Sequence, residues 1–309
     1  MNDVEHGFWR DTWYTFKKNK FGVVGLCIVI LSLVFGLFAD VIAPYDYSEQ
    51  NWESIRQKPT LDHIMGTDSL GRDLFSRVVM GMRTAVLVGV IVTIIVALIG
   101  ILVGAVAGLV GGKTDSVIVW IIDGLMNFPD IWLAAFVVVV SKPLLNEYTN
   151  YLYESFGYEI FTDTIIFDYL VVFFCLSMVW WAPMARVVRG QVFIIREKEF
   201  ILSQRAAGSS TFWIITKHIT PNVIGLVIVQ MTTGIGRVML AESALSFLGI
   251  GIQPPGASLG NLIYVGMASW RLDPHLVFIP SITLSIIILG FILTGDALND
   301  ALNPKIRNK

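Results

Sequence analysis

The stretch AGLVGGKT, Ala107 to Thr114, has the residue types of a phosphate-binding loop: a small residue, four arbitrary positions, then Gly-Lys-Thr. Such a loop needs a buried strand before it and a helix whose N-terminal amides face the phosphates, inside a soluble α/β domain. Here roughly 25 apolar residues precede it and another apolar run follows at once, so no domain is present to hold a nucleotide. Gly111 and Gly112 are expected to supply a tight turn instead, with Asp115 capping the next helix. Two further constellations sit inside apolar runs, where ionisable residues are costly enough to be functional by default. Asp123, Asn127 and Asp130 recur at three- and four-residue steps near Pro129, which puts them on one helix face. Arg237, Glu242 and Ser246 do something similar beside Gly234 and Gly236, which permit close helix approach. Either set lines a polar path or pairs internally to fix packing. Proteolysis by an aspartate pair is disfavoured, because Asp123 and Asp130 stand about 10 Å apart along the axis, too far to share a proton. No His-Glu-x-x-His helix occurs, the histidines are scattered at His6, His63, His218 and His275, and Cys27 and Cys175 stand alone. Metal chemistry and disulfides are therefore not expected.

The elements that must position these residues are membrane spans. Of 309 residues, 55% are hydrophobic and only 15% charged, which is too apolar for an ordinary soluble domain. The net charge of -2 offers no basic face for nucleic acid. Runs near the 20 or so residues that cross a bilayer lie at about 22–42, 84–111, 117–140, 167–188, 223–249 and 275–295. The expected fold is all-α, a polytopic membrane protein with six transmembrane helices. Most of the Lys and Arg residues, among them Lys17, Lys18, Lys20, Lys113, Arg186, Arg189, Arg196 and Arg205, fall on one side if the N-terminus is inside. Cytoplasmic flanks carry that excess, so both termini are expected to be cytoplasmic. The first run lacks a small-x-small cleavage site and reads as a retained span. Ahead of it, HGFWRDTWYTFKKNK places Trp9, Trp13 and Phe16 at helical spacing among basic residues, as an interfacial helix on membrane lipid would.

The organisation that follows is an interfacial N-terminal helix at 1–21, a first span with its external segment at 22–82, a core at 83–296 and a cytoplasmic tail at 297–309. Outside, GTDSLGRD offers Asp68 and Asp73 with Arg72 to cap and orient the helix entering the second span. The external segment 141–166 is acidic and tyrosine-rich, a lid, a docking surface or a passive insertion. LGIGIQPPG marks a break after the fifth span. The cytoplasmic segment 189–222 is charged, amphipathic, broken by Gly208 and closed by Pro221. It is expected to form two short helices around a glycine turn at the inner membrane surface. A rigid knuckle of that kind can receive force from a soluble partner.

RAAGSSTFWIITKHITPN resembles the cytoplasmic loop of ATP-binding-cassette importer permeases. GTDSLGRDLFSR at 66–77, AESALSFLGIGIQPPGASLG at 241–260 and GDALNDALNP at 295–304 resemble the C-type permease subunit of the dipeptide, oligopeptide and nickel importers. The loop's Glu-Ala-Ala triplet is replaced here by Leu202, Ser203 and Gln204, with Glu199 one turn earlier. The resemblance implies a type I importer permease fold in a bacterial cytoplasmic membrane and no enzymatic activity. It also implies a second homologous permease, two cytoplasmic ATPase subunits that bind the ATP, an extracytoplasmic substrate-binding protein, and no cofactor in this chain. Coupling to the ATPase would fall on Glu199, Phe200, Leu202, Ser203, Gln204, Arg205, Ala206, Ala207 and Gly208. Peptide is the expected cargo, since no cluster of His or Cys lies in the spans. A nickel or metal-chelate permease is the alternative within the family, and a self-sufficient ion-coupled transporter the alternative outside it.

Overall fold

The computed structural model describes residues 8–157 and 164–302, so part of the tyrosine-rich segment 141–166, the start of the interfacial segment and most of the tail lie outside the described residues. The regular elements described are helical, and an isolated bridge joins Thr67 to Asp73. In chain order they are α1 (Phe8–Lys18), α2 (Lys20–Leu37), α3 (Ala39–Ile42), α4 (Leu74–Val110), α5 (Gly112–Met126), α6 (Asp130–Phe156) and α7 (Thr164–Ile195). They continue as α8 (Glu199–Ala206), α9 (Thr211–Ile214), α10 (Thr220–Phe247), α11 (Leu259–Met267) and α12 (His275–Leu302). Among the described residues, six helices are long and apolar enough to cross a membrane: α2, α4, α6, Ile165–Ile195 of α7, the continuous stretch Thr211–Phe247, and α12.

The centre of the bundle is the pair α4 and α7. Gly100, Gly104 and Gly108 repeat every fourth residue along α4, so they form a smooth strip on one face. Against that strip lie Met184, Ala185 and Val192 of α7. A Cβ on Gly104 would sit 2.4 Å from the carbonyl oxygen of Ala185, so the two backbones are in direct contact. Lipid tails are as apolar as the side chains, and close van der Waals packing of small residues therefore holds membrane helices together. The main core continues from this seam through Val172, Leu176, Val188, Ile201, Ile219 and Leu245. A second core gathers α2, α10, α11 and α12 around the start of α4. Phe16 of α1 is buried on Ala297 and Ala301 of α12, while Trp13 stacks on Phe16 and stays half exposed under Lys17. The N-terminal helix is thus amphipathic, with one face fastened to α12.

Several boundaries differ from those expected, each for a physical reason. α4 begins at Leu74, ahead of the apolar run near 84, because Asp73 caps it: its Oδ2 accepts from the backbone N of Ser76 at 2.7 Å. The expected division at 82/83 falls inside α4, and that at 296/297 inside α12. The run expected as one span over 117–140 is divided into α5 and α6 at Asn127–Pro129. Proline has no N–H to continue the ladder, and the residue before it is pushed out of the helical region. The segment from 141, expected as an external loop, continues α6 to Phe156 with Pro143 inside it. Residues 211–222 do not form a separate short helix. α9 runs through a π-helical stretch, Ile215–Ile219, into α10, and Pro221 lies just after the stretch where the hydrogen-bond ladder changes register. Finally, Asp115 does not cap α5; its carboxylate accepts from Arg189 of α7, at 2.7 Å for Nη2.

Asp68 binds its own loop and Arg72, accepting from Leu70 N at 2.8 Å and Arg72 Nε at 2.8 Å, both charged side chains buried. Together with the Asp73 cap this makes GTDSLGRD a closed connector that aims α4. Beyond the end of α2, a hydrogen bond from Arg83 holds the Asp40 carboxyl below the usual carboxylate range.

Candidate functional site

The break between α5 and α6 opens onto two adjoining cavities. One, of about 90 Å³, is lined among others by Leu125, Met126, Asp130, Trp180, Gln230 and Arg237. The other, of about 480 Å³, is lined among others by Pro129, Asp130, Trp132, Trp180, Arg237 and Leu240. Asp130, Trp180 and Arg237 belong to both. Trp180 lies near the middle of Ile165–Ile195, and Arg237 lies ten residues before the end of α10 at Phe247. The broken backbone and the arginine therefore meet at the same cavities, away from the ends of α7 and α10. Irregular backbone inside a bilayer is tolerated only where protein buries it or a water-filled cavity receives it.

Asp130 and Arg237 are not buried, and no ion pair joins either to another group among the described residues. Gln230, Gly234, Arg237 and Ala241 stand at steps of four, three and four on α10, so one face of that helix supplies the cavity wall. Pro183 inside α7 contributes to the smaller cavity as well.

The other expected path residues are placed elsewhere. Asp123 is ion-paired with Arg186 of α7, both about half exposed, and Asn127 is the exposed C-cap of α5. Glu242 and Ser246 are fully buried away from both cavities. Glu242 Oε1 accepts from Ser246 Oγ at 2.7 Å and Ser258 Oγ at 2.8 Å, and Oε2 from Ser243 Oγ at 3.2 Å. Ser246 Oγ in turn accepts from the backbone N of Ile252 at 3.0 Å. A buried carboxylate needs such donors, and here they pin the LGIGIQPPG loop back onto α10. That loop is also held from α7, where Asp168 accepts from Lys142 Nζ at 2.7 Å and Gln253 N at 3.1 Å.

The knuckle is built at the far end of α4. Arg196 Nη1 donates to the carbonyl of Gly108 at 3.1 Å, and Arg205 donates to that of Leu109, satisfying orphan carbonyls at a helix C-terminus. Ile201 is fully buried and the Phe200 ring lies 6.2 Å from the His218 ring, so α8 is seated on the bundle. Its other face is open: Glu199, Leu202, Ser203 and Ala206 are all exposed, at spacings that bring them side by side. Gln204 is half-buried and takes a hydrogen bond from Ser209 at 2.8 Å, while Arg205, Ala206, Ala207 and Gly208 lead out of the helix. Gly208 has φ +77, and the space that a Cβ would fill there is open. The turn therefore needs glycine for its left-handed backbone and not for a close approach within this chain.

Gln230 and Trp180 escaped the sequence reading, as did Arg186 and Arg189 as partners of Asp123 and Asp115. The spacing of Gln230 to Arg237, two helical turns on one face, was the available signal for the first.

The pattern of the family described as "Binding-protein-dependent transport system inner membrane component" matches residues 100–308. That described as "N-terminal TM domain of oligopeptide transport permease C" matches residues 7–59. The oligopeptide transport system permease protein OppC of Escherichia coli (strain K12) is 38% identical over 301 residues, covering 97% of this chain and 92% of that protein. The dipeptide transport system permease protein DppC of Bacillus subtilis (strain 168) is 35% identical over 304 residues, 96% and 86% of the two chains. The glutathione transport system permease protein GsiD of Shigella flexneri serotype 5b (strain 8401) is 35% identical over 301 residues, 97% and 91%. With full-length relatives, two matching family patterns and six apolar helices, the chain belongs to the inner-membrane permeases of binding-protein-dependent transport, as a C-type subunit of the peptide and nickel importer family.

Proposed function

We propose that this permease subunit forms half of the path of an ATP-driven peptide importer and that the path passes Asp130 and Arg237. The observation that carries the reading is an arginine with no ion pair among the described residues, facing the same cavities as the break between α5 and α6. Relatives named for oligopeptide, dipeptide and glutathione transport support peptide as the cargo. The other half of the path belongs to a second homologous permease. Two cytoplasmic ATP-binding subunits drive the pair, and an extracytoplasmic binding protein delivers the substrate. The distribution of lysine and arginine supports a bacterial cytoplasmic membrane location with both termini inside. On that topology α1 lies at the inner surface, 22–82 holds the first span and its external segment, 83–296 the core with the coupling loop 189–222, and 297–309 the tail. The exposed apolar faces, such as Trp120, Phe136 and Leu289, meet lipid or the second permease.

The coupling element is α8 with its turn at Gly208. ATP-driven closure of the ATPase pair moves this helix, and the attached spans rock between inward-facing and outward-facing states. Gly208→Val is expected to reduce peptide uptake per ATP hydrolysed several-fold, because a β-branched residue at positive φ is a genuine outlier and re-aims α8. Gly208→Asn, which tolerates that conformation, retains coupling. Equal coupling ratios in the two variants count against the reading.

The direct test is reconstitution. This chain with its homologous permease, two ATPases and binding protein should import a radiolabelled oligopeptide into proteoliposomes on ATP addition. Nickel import by the same complex selects the metal reading, and ion-driven transport by the chain alone selects the self-sufficient transporter.

A further inference from the structure

The peptide-importer reading leaves open which chemical group of the cargo this chain recognises. Arg237 stands well inside α10, a membrane-spanning helix, and is exposed. A charged side chain within a membrane span is costly, and such residues mark substrate paths when they face a cavity. Arg237 faces two cavities and has no carboxylate partner among the described residues, although Asp130 lines both with it. A structural arginine of this bundle is expected to be paired, as Arg186 and Arg189 are with Asp123 and Asp115. The fork of a guanidinium matches a carboxylate bidentately. The larger cavity, about 480 Å³, lies within the range of small-molecule sites. Its remaining wall, Trp132, Trp180, Leu240 and Ile131, is apolar and aromatic, a surface that accepts side chains without reading their polarity.

We infer that Arg237 receives the C-terminal carboxylate of the peptide within the membrane-spanning bundle. This assignment rests on the peptide-importer reading. It follows that specificity in this chain is for the C-terminal carboxylate common to every free peptide and not for any one sequence.

The test uses the full reconstituted complex with its binding protein saturated by a tripeptide or by the C-terminal amide of that tripeptide, occupancy being measured separately. Wild-type complex is expected to import the free acid faster than the amide. Arg237→Gln should lower the ratio of free-acid to amide import about tenfold, the scale of one charge-assisted hydrogen bond. Arg237→Lys, a point charge without the fork, should keep part of the preference, and it serves as the reading if the glutamine variant fails to assemble. An unchanged ratio in both variants overturns the assignment while leaving the importer reading intact. A wild-type complex that hydrolyses ATP in response to loaded binding protein yet imports neither peptide overturns the peptide reading, and this assignment with it.

Discussion

Gly104→Leu is expected to abolish the folded chain, with at least a tenfold loss of monodisperse protein by fluorescence-detected size-exclusion chromatography. The reason is the identity of the neighbour. A Cβ at this position lies 2.4 Å from a backbone oxygen, that of Ala185, and 2.9 Å from Val188 Cβ, and backbone cannot step aside as a flexible side chain can. The strip is tight along its length, since a Cβ on Gly100 or Gly108 would likewise fall 2.4 Å from Met184 or 2.8 Å from Val192. Overpacking a well-packed site costs about 1–3 kcal/mol even for small additions, and about 1.4 kcal/mol is already tenfold in an equilibrium. Separating the helices forfeits the van der Waals contact that associates them, with no hydrophobic gain in lipid to offset the loss. Gly104→Ala carries the first atom of the same clash and should be intermediate. Gly225→Ala is the control, because nothing lies within 4 Å of the added carbon and alanine is the better helix former. A Gly104→Leu protein with normal yield and melting temperature refutes the seam.

That seam was legible in the sequence, though hydropathy alone does not register it. GILVGAVAG carries its glycines at a four-residue repeat, which is a packing signal in any apolar helix. The six crossing helices were legible because a run of about 20 apolar residues has few other uses. Their ends were less so. The extension of α4 back to Leu74 depends on the Asp73 cap and on Arg77 and Arg83 finding partners at Asp68 and Asp40, contacts that no hydropathy window registers. The break at Asn127–Pro129 was signalled by Pro129, but the apolar residues on both sides masked it. The same break moved Asp130 off the face it was expected to share with Asp123 and set it on the cavities that Arg237 lines. For Glu242 the sequence left two readings open, and only three-dimensional proximity to Ser258, sixteen positions away, distinguishes a satisfied anchor from a free carboxylate.

The largest functional effect is expected at Leu202. α8 presents Glu199, Leu202, Ser203 and Ala206 to solvent on one face while Ile201 is buried beneath. Leu202 is 47% exposed and belongs to none of the core clusters, so the folded chain gives it little to do. On the proposed coupling its role is outward, as an apolar anchor for the ATPase. Truncating a buried interface anchor costs about 2 kcal/mol or more, roughly a thirtyfold loss of affinity, and a carboxylate there adds an unpaired charge to the interface. Leu202→Asp should therefore keep the yield and melting temperature of this chain while ATPase co-purification and peptide uptake both collapse. Ile201→Asp gives the opposite pattern, loss of the chain itself, because that side chain is fully buried. The consequence reaches the cavity through contacts already in place. Arg205 and Arg196 fasten the knuckle to the last carbonyls of α4, and the glycine strip fastens α4 to α7, whose Trp180 faces the same cavities as Arg237. On the proposed function a load applied at α8 has that route to the cavities, and full co-purification and uptake in the Leu202→Asp complex would show that the load enters elsewhere.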